Sequence, residues 1–170
     1  IGQVQIIKIT SRDPKVPPLS FIETSGGMFA DMSIHDFDMV QFISGALVTE
    51  VSVMGTNLIN PDFSNFGDVD TCIIMLKLDN GALAVIDNSR QAVYGYDQRL
   101  EVFGSKGMLL AKNEKPNNTT LLTADAVCQE KPLWFFLERY ADAFLYEDMS
   151  FVESCLKDRP TLIGVRGGLS

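Results

Sequence analysis

The tripeptide Asp79-Asn80-Gly81 lies between two apolar, β-branched runs, 69–78 and 82–90. Asn-Gly readily supplies the positive φ angles of a tight hairpin turn, so this spacing predicts that the two runs pair antiparallel. A chain committed to that hairpin must cover a sheet face, and its neighbours continue the same period. Further strands are predicted at 47–56, 96–103 and 108–112, with a weaker one near 119–123. In 96–103, Asp97, Arg99 and Glu101 alternate with Gln98, Leu100 and Val102. That alternation describes a sheet with one packed face and one polar face. Residues 1–10 read as another strand, with Val4, Ile6 and Lys8 on one side.

Two helices are expected around this sheet. One runs over 32–44 and stops at Gly45; the other covers 133–156, with Phe136, Tyr140, Phe144, Phe151 and Cys155 recurring near the helical period. Pro132 suits its first turn and Pro160 closes the segment. The stretch 11–20 carries three prolines and reads as loop or extended chain, and Ser25-Gly26-Gly27 reads as a hinge. The aromatic run Trp134-Phe135-Phe136 is read as helix core. The order gives an α+β fold: one domain over 1–170, a mostly antiparallel open sheet with helices packed on one face. The closing segment TLIGVRGGLS reads as a cut. No glycine-rich strand-turn-helix is present, so a dinucleotide-binding half is not expected within this chain.

Charge and cysteine content narrow the function. Fourteen basic against 22 acidic residues leave a net charge of −8, which argues against nucleic-acid binding. No apolar run reaches the roughly 18 residues of a membrane span. Three cysteines without a CxxC pair argue against a disulfide framework and against a metal site, and fit a reduced, cytoplasmic protein. The sequons at Asn117 and Asn118 are then not expected to carry glycans.

Chemistry concentrates in two places. At 100° per residue, Asp31, His35 and Asp38 fall within about 60° of one another on a helix. Their neighbours Met32, Ile34, Phe37, Met39, Val40 and Ile43 are apolar. Flanking carboxylates would hold one imidazole nitrogen in place, as an acid/base histidine requires. The plainer alternative is a helix start with Asp31 as its cap. Asp36 points away from this stripe and has no role in the reading. The second cluster, over 87–99, is dense in hydrogen-bonding groups and includes Tyr94 and Tyr96. Such a surface suits a cyclic polyol; its plainer alternative is a polar strand edge.

The blocks DMSIHDFD and DNSRQAVYGYDQRLEVFGSKG, with FFLERYADAF further on, resemble the C-terminal domain of the Gfo/Idh/MocA oxidoreductases, specifically the inositol 2-dehydrogenase branch. The likeness runs from Ile1 to about Gly168. It implies NAD as cofactor, held mainly by a preceding Rossmann domain, and a myo-inositol substrate oxidised at one secondary hydroxyl. His35 and Asp31 match the branch's catalytic Asp-x-x-x-His pair. Asp38 and Tyr96, and less closely Tyr94, match groups that face the polyol. Glu-Lys-Pro occurs at 114–116 and 130–132, but neither copy follows Rossmann strands, so neither Lys115 nor Lys131 is assigned the catalytic lysine's role. The resemblance further implies a homo-oligomer, dimer or tetramer, paired through the open sheet face. Another cyclic polyol or sugar dehydrogenase and a non-catalytic assembly module are the alternatives.

Overall fold

The computed structural model describes residues 1–164. The chain divides into two compact units, one over Ile1–Phe135 and one from Phe136 onward.

In the first unit, strand β1 (Val4–Arg12) leads to helix α1 (Leu19–Ser25) and a π-helical turn over Phe29–Ser33 that runs straight into helix α2 (Ile34–Ser44). Strands β2 (Val48–Thr56), β3 (Thr71–Leu78), β4 (Leu83–Ser89), β5 (Asp97–Gly104) and β6 (Gly107–Ala111) follow, and a small ribbon pairs β7 (Thr120–Leu122) with β8 (Val127–Gln129). The six-stranded sheet has the order β2-β3-β4-β1-β5-β6. Every neighbouring pair is antiparallel except β1 and β4, which run parallel from Ile6 opposite Leu83 to Arg12 opposite Ser89. The α+β class, the mostly antiparallel open sheet and the β3–β4 hairpin all match the sequence reading.

The hairpin turn differs in detail. Leu78 and Ala82 close a three-residue loop, with Leu78 N–H donating to the Ala82 carbonyl at 2.9 Å. Only Gly81 takes a positive φ, +86°. Asn80 instead accepts a hydrogen bond from Ala82 N–H through its side chain at 3.0 Å. The turn thus uses asparagine's oxygen, with glycine alone in the left-handed region.

Alternation sets the core. In β3, Cys72, Ile74, Leu76 and Leu78 are buried while the residues between them face outward. Ile7 and Ile9 of β1, Ala84 and Ile86 of β4 and Val102 of β5 join the same layer, and Met32 and Val40 pack onto it from the helical segment. Each of the Ile, Leu, Val and Met side chains contributes about 1.5–3 kcal/mol of burial. The opposite face of the sheet leaves Ile6, Ile73, Met75, Leu83, Phe103 and Met108 exposed.

Several local expectations are corrected. The proline-rich stretch ends in a helix: Pro18 precedes α1 as its cap, a position where its missing N–H costs nothing. Ser25-Gly26-Gly27 is no free hinge. Gly27 sits at φ +81°, where a Cβ would come within 2.9 Å of Asp68 Oδ1, and that oxygen also accepts from Met28 N–H at 2.8 Å. In the second unit, the long helix is two pieces, α3 (Phe136–Arg139) and α4 (Ala141–Leu156), interrupted at Tyr140. Phe136 and Phe144 meet edge to face at 6.5 Å. Trp134, Phe135 and Phe136 are exposed, and Pro132 lies ahead of the helix.

Among the described residues no helix is long and apolar enough to cross a membrane. Cys72, Cys128 and Cys155 are all free thiols.

Candidate active site

The DMSIHDFD segment does not fold as one regular helix. Asp31 lies in the π-helical turn, and α2 begins at Ile34. A wider turn inserted ahead of a helix re-aims the side chains it carries, a feature often found at functional sites. Met32, Ser33, Asp36 and Val40 face inward; His35 and Asp38 are exposed and Asp31 is partly so. The predicted stripe therefore opens outward from the helix that covers the sheet.

Asp31 does not act as the helix cap. Its Oδ2 accepts from Arg90 Nη1 at 2.6 Å. The direct pairing with His35 expected from helical spacing is replaced by this ion pair, since the π turn separates Asp31 from the regular helix.

Asp36, the acid without a role in the sequence reading, is the buried one. It is 4% exposed. Its Oδ1 accepts from Ser11 Oγ at 2.6 Å and its Oδ2 from Asn88 Nδ2 at 2.7 Å. Asn88 in turn accepts from Ser33 Oγ at 2.6 Å. Burial pushes the Asp36 carboxyl above its ordinary range, opposed by the Ser11 and Asn88 hydrogen bonds and by the nearby His35. Ser11 also lies 3.0 Å from Gln98 Oε1, whose amide donates to Tyr96 Oη at 3.1 Å. Hydrogen-bonding groups thus run from the residue beside His35, through β1, to Tyr96 just ahead of β5.

Tyr94 belongs elsewhere. Its hydroxyl donates to Asp97 Oδ2 at 2.5 Å and accepts from Arg12 Nη1 at 3.3 Å. Arg12 also grips Asp87, and Asp97 is further bonded by Arg99 and by Asn113 Nδ2. These charges lie on the open face of the sheet, opposite Ser11 in the alternation of β1. Asp97, expected on a solvated face, is 1% exposed because these partners enclose it. Burial raises its carboxyl, but Arg99, Tyr94 and Asn113 outweigh that and hold it below the usual range.

The structure therefore brings Tyr96 toward the Asp31–His35–Asp38 side and commits the Tyr94 hydroxyl to the open face. Ser11 was missed by the sequence reading, and Asn88 and Arg90, inside the 87–99 cluster, were given no role of their own. The signal was parity: Ser11 follows Ile7 and Ile9, while Asn88 and Arg90 follow Ala84 and Ile86, all in buried register. Polar groups at apolar positions call for partners. Lys115 donates to Gln129 Oε1 at 2.7 Å, and Lys131 is exposed.

Residues 1–110 match the family model described as the GFO/IDH/MocA C-terminal domain. The chain belongs to this family. An uncharacterized oxidoreductase of Bacillus subtilis is 55% identical over 154 residues, covering 91% of this chain and 45% of the relative. A myo-inositol 2-dehydrogenase of Thermotoga maritima is 46% identical over 168 residues, covering 99% of this chain and 50% of its own length. A crystal structure of scyllo-inositol dehydrogenase from Lactobacillus casei with bound NAD(H) and scyllo-inositol superposes with a TM-score of 0.88 at 32% identity, covering 99% of this chain and 51% of that one. The chain spans about half the length of the relatives it matches.

NAD does not fit the described residues as its main site. The one parallel pair, β1 and β4, has no glycine-rich turn opening directly into a helix, so nothing here cradles a pyrophosphate. What this GFO/IDH/MocA domain offers is an exposed imidazole at the start of α2, with Asp38 exposed on the same helix, Asp31 held by Arg90 in the turn before it, and a buried polar network beneath. Among the described residues no group of three or more His, Cys, Asp or Glu is placed to hold a metal.

Proposed function

We propose that this chain is the substrate-binding half of a cytoplasmic, NAD-dependent inositol dehydrogenase that oxidises myo-inositol to its 2-keto form. The observation that carries the reading is the exposed His35 and Asp38 of α2, with the partly exposed Asp31 in the π-helical turn that leads into it. The full-length relatives named for inositol oxidation support it. NAD, bound mainly by the other half of the full-length protein, supplies the redox chemistry.

The His35 imidazole accepts the proton of the reacting hydroxyl, with Asp31 as its catalytic partner. Asp38 and Tyr96 hydrogen-bond neighbouring hydroxyls and so orient the ring. The polar character of the site suits a polyol, which needs a partner for each buried hydroxyl.

The open face of the sheet is proposed to pair with a second copy of the chain, giving a dimer or tetramer. Its exposed Ile6, Ile73, Met75 and Leu83 support this, because such an apolar patch is a liability on a lone domain.

The test is reduction of NAD by the full-length protein with myo-inositol, scyllo-inositol and aldohexoses as alternative substrates. Turnover highest on myo-inositol is expected. Preference for an aldohexose identifies a related sugar dehydrogenase, and no turnover on any polyol overturns the reading.

A further inference from the structure

We infer that Arg90 is a positioning residue for Asp31, an interior guanidinium that fixes this carboxylate at the edge of the exposed α2 face. The inference rests on the role proposed for Asp31 and His35, and it adds a residue buried beyond a substrate's reach.

Arg90 is 2% exposed, yet it carries a full charge. Its Nη1 lies 2.6 Å from Asp31 Oδ2 and 3.5 Å from Asp13 Oδ2. The backbone fastens both sides of this arrangement. Arg90 N–H donates to the Asp70 carbonyl at 2.8 Å, Asp13 N–H to the Ser89 carbonyl at 3.0 Å, and Ala92 N–H to the Asp13 carbonyl at 2.6 Å. The guanidinium therefore stands on a rigid base at the ends of β1 and β4, while Asp31 belongs to the π-helical turn.

The arrangement is poor as a stability device. Among the described residues, Arg90 Nε and Nη2 are buried without a hydrogen-bond partner. A buried arginine optimised for stability would use its fork on both oxygens of one carboxylate. Here one nitrogen serves two acids. Asp13 is the weaker claimant, since burial holds its carboxyl above the usual range despite Arg90. The short contact goes to Asp31, whose side chain is 27% exposed. Arg90 takes only Oδ2, and among the described residues no hydrogen bond reaches Oδ1. A partly exposed carboxylate would otherwise rotate; pinned by one oxygen, it presents the other in a fixed direction. Preorganisation of this kind is what an acid/base pair needs from its surroundings.

The experiment is a double-mutant cycle in the full-length protein, with kcat and KM for myo-inositol and melting temperature measured for Arg90→Ala, Asp31→Asn and the double variant. Arg90→Ala is expected to lower kcat by about 10–100-fold, the usual worth of a group acting through another. Asp31→Asn is expected to lower it by about 10²-fold or more. If Arg90 acts through Asp31, the double variant loses no more than Asp31→Asn alone. Added guanidinium should restore Arg90→Ala and leave the double variant unchanged. Should Arg90→Ala fail to fold, Arg90→Lys completes the same cycle, with a kcat loss that disappears in the Asp31→Asn background. Additive losses, or normal kcat in a folded Arg90 variant, overturn the inference while leaving the Asp31 role intact. Normal turnover in Asp31→Asn removes the Asp31 role and the inference together.

Discussion

Asn88 Nδ2 donates to Asp36 Oδ2 at 2.7 Å, joining the end of β4 to the buried side of α2 across 52 residues of sequence. The pair sits at the polar end of an otherwise apolar layer, with Ser11 completing it. Burial raises the Asp36 carboxyl, so the folded chain keeps a proton that the unfolded chain releases above about pH 4. Raising the pH through that window therefore costs stability.

Asp36→Asn should remove this loss. Its amide can donate to Ser11 Oγ, freeing the Ser11 hydroxyl to donate to Gln98 Oε1 at 3.0 Å. The variant is expected to match the wild type near pH 4 and exceed it at pH 7, by about 1.4 kcal/mol for each unit by which burial displaces the wild-type acid. Melting temperature against pH for both proteins checks it; a constant offset across the range would falsify the account.

Asp70 works in the opposite direction. It accepts from Leu58, Ile59 and Asn60 N–H at 3.0, 2.8 and 2.9 Å. Burial pushes its carboxyl up, but those backbone donors and Thr71 outweigh it and hold it below the usual range. Its stabilisation is present above about pH 4 and is lost as the pH falls further. Asp70→Ala should cost about 2–4 kcal/mol at neutral pH by leaving those donors without their acceptor. Urea unfolding gives the value, and a loss below half a kilocalorie would refute the assignment.

His35→Ala should separate activity from stability. The imidazole is exposed, so folding stability should change by less than about 0.5 kcal/mol. Turnover of the full-length protein should fall by about 10²–10⁴-fold. Turnover and melting temperature, measured on one preparation, decide between a catalytic and a packing role. Wild-type turnover would remove His35 from the mechanism.

Met75 lies on the open sheet face opposite Val85 and is exposed. Met75→Lys places a charge in the proposed self-contact and should shift the full-length protein toward smaller species at equal concentration. Sedimentation velocity reads the change. An unaltered distribution would exclude this face as the contact.

Much of the fold was legible because it depends on local chemistry and period. The Asp79-Asn80-Gly81 turn fixed one hairpin, and alternation marked β2 to β6 close to their true bounds. The outward direction of His35 and Asp38 was likewise readable from helical spacing, as was the opposed direction of Asp36. The break at Tyr140 and the π-helical turn at Phe29–Ser33 were not. An apolar helical period cannot distinguish one continuous helix from two offset pieces. The α1 helix was masked by the prolines before it, which define its start as well as they define a loop.

By itself, the sequence determined the class of structure: which segments pair, which residues alternate inward, and which acid-flanked histidine occupies a helical face. These are consequences of turn geometry and hydrophobic period, which act over a few residues. Only the tertiary structure decided that Asp36 is enclosed by Ser11 and Asn88, that Asp31 is held by Arg90, and that the Tyr94 and Tyr96 hydroxyls part to opposite sides of the sheet. Those partners are far apart along the chain, and a charge finds its partner only after the parallel β1–β4 pairing has brought their strand ends together. Burial cost then selects the pairing, because a charge or amide withdrawn from water must be satisfied by whatever polar group the packed neighbours present.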